Sequence, residues 1–343
     1  MRRLLTALLI FIVVNGIYIA RQRRHVQQLR EAIGVGRGRG PRAPHEHYEA
    51  IDVVDQLTKQ RGRSFEKATR FSRQQFFDLV YELLPDIVAN REVRPHVPEP
   101  SGEIRSTKLT VPNRLLLAMK FLVCGSSGDD LSTQFGVSPS TVSEDIRHVV
   151  YAIAAGLAYE IDMPSPEQQQ RLSALLGPEF ERTFSFGSVD GTFTRSFSQT
   201  GDFSGHRHSF VRSHQIATDA LGYIVHVVAG QIGARHDAYN YQKSNLRELL
   251  RACGATMLAD AGYEGCGDEL VTPSAANRIL DADQRALFLE LHTSRRSRVE
   301  QYIGVLKALF RVVGNRWQRH DRQFLSVCVF AACALYNRWK RLR

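Results

Sequence analysis

HSFVRSHQIATDALGYIVHVVAG, residues 208–230, is the stretch whose reading decides the fold class. It holds two runs of apolar and β-branched residues separated by turn formers. Such runs read as strands, meeting here at a turn near Asp219–Gly222. The second run, Tyr223–Ala229, is almost wholly apolar, as expected of a buried central strand.

Working outward, FSFGSVDG (184–191) predicts a strand before this pair. NLRELLRAC (245–253) predicts an amphipathic helix after it, and ATMLAD (255–260) another short buried strand. Residues 262–290 read as an irregular insertion containing a helical DQRALFLELH. Arg295–Arg311 is helical, with Val299, Ile303, Leu306 and Phe310 on one apolar stripe, and FLSVCVFAACALYNRW (324–339) is a last apolar helix. The order β-β-β-α-β-α with a terminal helix predicts an α/β fold, a ribonuclease-H-like mixed sheet flanked by helices.

The preceding half is helical. In SFEKATRFSRQQFFDLVYELLPDIV (64–88), Phe76, Leu79, Val80 and Leu83 recur at three- and four-residue steps, and Pro85 marks a break. Leu115, Leu116, Ala118, Met119 and Leu122 form another helix face. Next come a short helix from Leu131 to Phe135, a tight turn Gly136-Val137-Ser138, and a second helix from Pro139. Ser138 suits the N-cap and Pro139 the first helical position. This reads as a helix-turn-helix, whose second helix would offer Ser138, Ser140, Thr141, Ser143 and Arg147 to DNA. The alternative is a structural three-helix bundle, which Glu144 and Asp145 favour by making that helix less basic. The expected organisation is an apolar and basic N-terminal helix (1–33), a linker (34–63), a helical domain (64–178) and a sheet domain (179–343).

Charge is distributed unevenly. The net charge is +10 and the pI about 9.6. Residues 1–40 carry eight Arg against Glu31, and residues 295–343 carry twelve Arg and Lys against Glu300 and Asp321, so the middle is net acidic. Basic ends beside an acidic core suit a polyanion such as DNA. The five cysteines include no CxxC pair, which excludes zinc-ribbon spacing and suggests buried thiols in a reduced compartment. His45 and His47 lack partners at ligand spacing and read as a solvated loop. Residues 4–20 (LLTALLIFIVVNGIYIA) sit at the lower length limit for a bilayer span. They read as a helix packing within the protein or on a partner; a signal or membrane anchor is the alternative.

Three acids stand out: Asp190 in SFGSVDGTF, Asp260 in ATMLADAGY and Glu300 in RRSRVEQYIGVLKALF. The first two end apolar runs, and the third lies on a basic helix. Carboxylates converging from separate elements suit a divalent cation, Mg²⁺ or Mn²⁺, which takes oxygen ligands from one or two carboxylates plus water and phosphate. Arg296, Lys307 and Arg311 on the same segment are candidate DNA contacts. The competing reading of any one Asp at a strand end is a turn cap.

At these residues the chain resembles the PIF/Harbinger transposases and their derived nucleases, of the DDE superfamily, from about residue 65 to 340. The family's D-G/C-T-H phrase is similar to Asp190-Gly191-Thr192-Phe193. Ser213-His214-Gln215, Gly222, Gly233 and His236-Asp237 follow as in the family. Its D-S-G-Y is similar to Asp260-Ala261-Gly262-Tyr263. Its last motif is similar to Arg296, Val299-Glu300, Gly304, Leu306-Lys307 and Phe310. The resemblance implies that Asp190, Asp260 and Glu300 ligate divalent metal for two-metal phosphodiester cleavage, with strand transfer to follow. Asp237 is implied as a fourth ligand, against a helix N-cap role, and His236 as a substrate contact or general base, against a structural one. Phe193, Ala261 and Ala308 replace the usual His, Ser and basic residue and read as drift. The resemblance also implies a Myb/SANT-like partner protein. We further expect a homo-oligomer and a nuclear protein with a cytoplasmic pool. A catalytically silent DNA-binding protein is the alternative. A glycoside hydrolase also uses paired carboxylates, but its sugar sites are richer in aromatics than a chain with only Trp317 and Trp339.

Overall fold

The computed structural model describes residues 50–60, 64–89, 109–196, 202–205, 207–279, 281–314, 317 and 321–343. The apolar segment 4–20, the stretch 34–47 and the segment 91–107 lie outside the described residues. Among the described residues no helix is long and apolar enough to cross a membrane.

Six strands form one mixed sheet: β1 (Ser185–Arg195), β2 (Phe203–Ser204), β3 (Ser209–Asp219), β4 (Ile224–Ile232), β5 (Thr256–Leu258) and β6 (Leu270–Val271). Five of the strands run in the order β4-β3-β1-β5-β6, and β2 pairs with the first residues of β3. β1 is antiparallel to β3, from Gly187 opposite Asp219 to Arg195 opposite Val211, and parallel to β5. β3 and β4 are antiparallel. Their turn is held by the Asp219 carboxylate, which accepts the Leu221 and Tyr223 N–H groups at 2.9 Å each. Gly222 takes φ 85 there, a left-handed value that glycine adopts without strain.

Both faces of the sheet are covered, and side chains alternate between them. Ile216, Ile224 and Val227 face one apolar cluster, while Val189, Ala217 and Val225 face another. The second cluster is closed by α7 (Pro166–Leu176), α8 (Pro178–Glu181), α9 (Asp237–Lys243) and α10 (Leu246–Cys253). The first contains α11 (Ala282–Leu309), α12 (Arg311–Gly314), α13 (Arg322–Arg341) and the helical half of the chain. That half comprises α1 (Val53–Lys59), α2 (Ser64–Thr69), α3 (Arg73–Ala89), α4 (Val111–Cys124), α5 (Gly128–Phe135) and α6 (Pro139–Gly156). No gap in apolar packing separates it from the sheet. Phe121, Tyr151, Trp317 and Phe324 bring α4, α6, Trp317 and α13 together, with ring centroids 6.0 to 6.4 Å apart.

The turn chemistry before α6 follows the sequence. Ser138 caps α6 by accepting the Thr141 N–H at 3.2 Å, Pro139 opens the helix, and Gly136 ends α5 at φ 59. Ser127 and Asp130 form a capping box at the start of α5. Asp145, read as an acid that makes this helix less basic, is buried and bonds Arg114 at 2.8 Å.

Four expectations are corrected. Asp190 does not end its strand: β1 continues to Arg195, because Thr192 and Thr194 keep alternating into the core. β4 is an edge strand rather than a central one, and its apolar run reflects cover on both faces, α13 packing on one of them. Residues 262–290 are no separate insertion: β6 joins the sheet, and DQRALFLELH is the start of α11, the helix that carries Glu300. Pro85 lies inside α3. The carbonyl its ring displaces belongs to Tyr81, whose side chain is 74% exposed, so water can take that position.

Candidate active site

Asp190 occupies the middle of β1, next to the point where β5 stops pairing. Its carboxylate accepts the Gly191 N–H at 2.8 Å. Asp260 follows β5 directly and caps a single 3-10 turn (Ala261–Tyr263), accepting the Gly262 N–H at 3.0 Å. Parallel pairing thus sets both acids just beyond the C-terminal end of the β1–β5 ladder. For Asp260 the turn-cap role and the site position coincide.

Asp237 is the first residue of α9, but it is not the cap. The cap position belongs to His236, which makes no side-chain capping bond, and the helix ends at Lys243, with α10 following separately. The Asp237 carboxylate instead rests against Gly191, where any Cβ would overlap its oxygens. Gly191 is therefore required by a close approach of two elements, β1 and α9. His236 itself is exposed.

Glu300 projects from α11 on the exposed side of the Val299/Ile303 stripe. Arg296, one turn earlier, hydrogen-bonds the Glu300 carboxylate and lies 3.8 Å from Asp190 Oδ2. A guanidinium thus bridges the first and last acids.

The electrostatics follow from burial. The Asp190 carboxyl is pushed up to about 6, chiefly by desolvation, with Asp260 and Glu300 adding like-charge repulsion and Arg296 opposing it. Asp237 is raised by burial and then by Asp260. The Tyr263 phenol lies beneath these acids and is held well above its usual value, first by burial and then by the Asp237 charge. It therefore stays protonated, and Gln215 Nε2 lies 3.1 Å from its oxygen and 3.3 Å from the Asp237 carbonyl. On the other face, buried His214 is neutral, its value lowered to about 3 by desolvation and then by Lys307. Its Nδ1 accepts the Gly230 N–H at 2.9 Å, and its Nε2 pairs with Thr194 Oγ1, tying β1, β3 and β4 together.

Among the described residues no group of three or more His, Cys, Asp or Glu is arranged to hold a metal ion. Asp190, Asp237 and Asp260 still have the donor chemistry for a hard divalent cation. All are oxygen ligands, and both Asp190 and Asp237 are part-buried and destabilised as anions by Asp260. They form an incomplete set, and α11 supplies Arg296 where added positive charge is needed.

The remaining candidates are dispersed. Lys307 and Arg311 lie at the C-terminal end of α11 and the start of α12. Lys307 is partly buried, and Arg311 is exposed. Ser138 and Thr141 are engaged in the cap of α6, and Ser138 also bonds Ser140. Arg147 pairs with Asp321 at 2.5 Å and lies over the Phe324 ring, so its charge is spent internally. Sequence reasoning gave no role to Gln215, Tyr263 or Arg207. The Asp260-Ala261-Gly262-Tyr263 run carried the signal for Tyr263; the others become visible only through strand register and a turn.

Residues 190–337, which contain all four acids, match the family model described as a DDE superfamily endonuclease. Neither a curated protein nor a solved structure gives a match. The family match supports the superfamily for this segment and agrees with a mixed sheet flanked by helices.

Proposed function

We propose that the chain is a divalent-cation-dependent DNA endonuclease of the PIF/Harbinger type, with Asp190, Asp260 and Glu300 as its acids and Asp237 as a fourth contributor. The observation that carries this reading is the approach of Asp190 and Asp260 beyond the end of the β1–β5 ladder. Asp237 is pressed against Gly191 there, and Arg296 links Glu300 to Asp190.

In this reading Asp190, Asp237 and Asp260 offer carboxylate oxygens to Mg²⁺ or Mn²⁺. When bound, such a cation supplies Lewis-acid stabilisation of phosphoryl oxygens and a water of lowered pKa. The chain's own groups do the rest. Tyr263 keeps its proton beneath the acids, and Gln215 fixes the phenol against the start of α9. The Gly191 and Gly262 N–H groups orient the Asp190 and Asp260 carboxylates. Arg296 links Glu300 to Asp190 and presents a fork of donors suited to a phosphodiester. With Arg147 committed to Asp321, and Asp129, Asp130 and Glu144 on the same pair, α5–α6 offers no basic surface. Target recognition then falls to a Myb/SANT-like partner, and assembly on two DNA ends calls for more than one copy of the chain. A nuclear location and subsequent strand transfer belong to the same proposal.

The test is cleavage of duplex DNA with Mg²⁺ or Mn²⁺. Asp190→Asn, Asp260→Asn and Glu300→Gln each lose cleavage by at least about a hundredfold, in line with losing transition-state charge stabilisation, and retain DNA binding. Unchanged cleavage in all three sinks the assignment.

A second reading, a catalytically silent DNA-binding protein, is favoured by one observation. Arg296 occupies the space between two of the acids, and the described residues contain no three-acid metal group. Mn²⁺ binding by the wild type that is lost in Asp190→Asn decides against it.

A further inference from the structure

Phe193 stands three residues beyond Asp190 on β1, where the resembled family has a histidine. It is the meeting point of two cations brought by two other elements. The Arg207 guanidinium lies 3.9 Å from its ring centroid, and the Lys307 ammonium 4.9 Å from it. Arg207 comes from the turn between β2 and β3, which is closed by its own N–H to the Ser204 carbonyl at 3.2 Å and by His208 at φ 47. Lys307 comes from α11, seven residues after Glu300 and so on the same side of that helix.

Among the described residues neither cation lies within ion-pair distance of a carboxylate, although the Arg207 charge reaches Asp237 and lowers its carboxyl against the larger rise from burial; each cation lies over the Phe193 ring. Arg114, Arg147 and Arg212, by contrast, are each paired with a carboxylate: Asp145, Asp321 and Asp202. Two like charges repel, and an aromatic face returns only about 0.5–2 kcal/mol for each cation held over it. It also leaves their charge cancelled only in part, by Asp237 acting on Arg207. Such a pair is complementary to an anion with several oxygens, and each N–H donor set is free to point at it. The position is informative too. Phe193 shares the face of β1 that carries Gly191 and Asp237, two residues or about 7 Å along the strand, and phosphates of one DNA strand advance about 3.4 Å per step along the helix axis. The pair therefore lies a few phosphates from the acids.

We propose that Phe193, Arg207 and Lys307 form a phosphate-binding station for the DNA strand that enters the acid cluster, with Phe193 as the positioning residue for both cations. The phenylalanine is thus a working part of the site rather than neutral drift from histidine. The proposal rests on the endonuclease reading and adds the point at which substrate backbone is held.

The experiment is fluorescence anisotropy of a labelled random-sequence DNA duplex against the full chain, without divalent cations, over a salt series. Each neutralised phosphate contact contributes about −0.9 to the slope of log K against log salt. Arg207→Gln and Lys307→Gln each flatten the slope by about one contact. Phe193→Leu, which leaves the net charge unchanged, flattens it by between one and two contacts, and Phe193→Tyr restores it. A Phe193→Leu protein with wild-type melting temperature and wild-type slope overturns the proposal, as does an unchanged slope in both cation variants. Asp190→Asn keeps the wild-type slope while losing cleavage, so the two readings fail separately. A wild type that binds but never cleaves refutes the endonuclease, whereas a flat response to Phe193→Leu refutes the station.

Discussion

Asp190→Asn is predicted to stabilise the protein while inactivating it, and pH controls the size of the effect. The Asp190 carboxyl has a folded-state value of about 6 against 3.8 for the ordinary side chain. Below pH 3.8 it is neutral in both folded and unfolded chains and contributes nothing. Between 3.8 and about 6 the unfolded chain releases its proton first, so folding stability falls as pH rises. Above 6 the loss levels off. A shift of roughly two units is worth about 3 kcal/mol at 1.36 kcal/mol per unit, taken as a ceiling. An asparagine keeps an oxygen for the Gly191 N–H and removes the buried charge. The assay is urea unfolding of wild type and Asp190→Asn from pH 4.5 to 8.5, with chelator present. The curves approach each other at the acid end, and the variant leads by about 2–3 kcal/mol at the alkaline end. Asp219 is raised to about 6 as well, by burial, but it is common to both proteins and cancels in the difference. Parallel pH profiles, or a variant no more stable than wild type at pH 8, refute the claim that the acid cluster stores unfavourable charge.

Two further predictions follow from packing. Gly191→Ala places a methyl group where the Asp237 carboxylate now rests, so Asp237 must swing away. Cleavage falls at least about tenfold while the unfolding free energy changes by only about 1 kcal/mol, within the range of ordinary substitutions; wild-type cleavage means Asp237 is dispensable. Asp145→Asn leaves Arg114 buried without its counter-ion, and breaking such a pair costs about 3–5 kcal/mol. A urea midpoint equal to that of wild type contradicts this.

Much of the site was legible because short-range chemistry wrote it. Asp260 precedes a turn sequence and sits at a turn. Glu300 and Arg296 are one helical turn apart and bond as i and i+4 residues do. The misreadings share a different cause. Gly191 looked like the end of a strand, yet its missing side chain serves Asp237, which approaches from α9. Tyr223–Ala229 looked central because it is apolar, yet a strand at the edge is equally apolar when helices cover both of its faces. Arg147 looked available to DNA, but its partner Asp321 is 174 residues away in sequence. Periodicity reports how much of a residue is covered; it does not name the element that covers it.

The placement of α13 bears on how such a chain can change over generations. Phe324, Leu325 and most residues onward to Asn337 are buried, with α6 on one side and β4 on another. Asn337 is bonded to both the N–H and the carbonyl of Ile224 and to the carbonyl of Glu160. A helix enclosed in this way is a seam without a cutting line. Shuffling a foreign recognition module onto the acid-bearing sheet at residue 179 would strip α13 of its lining and expose Ile216 and Val227. Exchange of targeting specificity is therefore easier through a separate protein than by recombination within the chain.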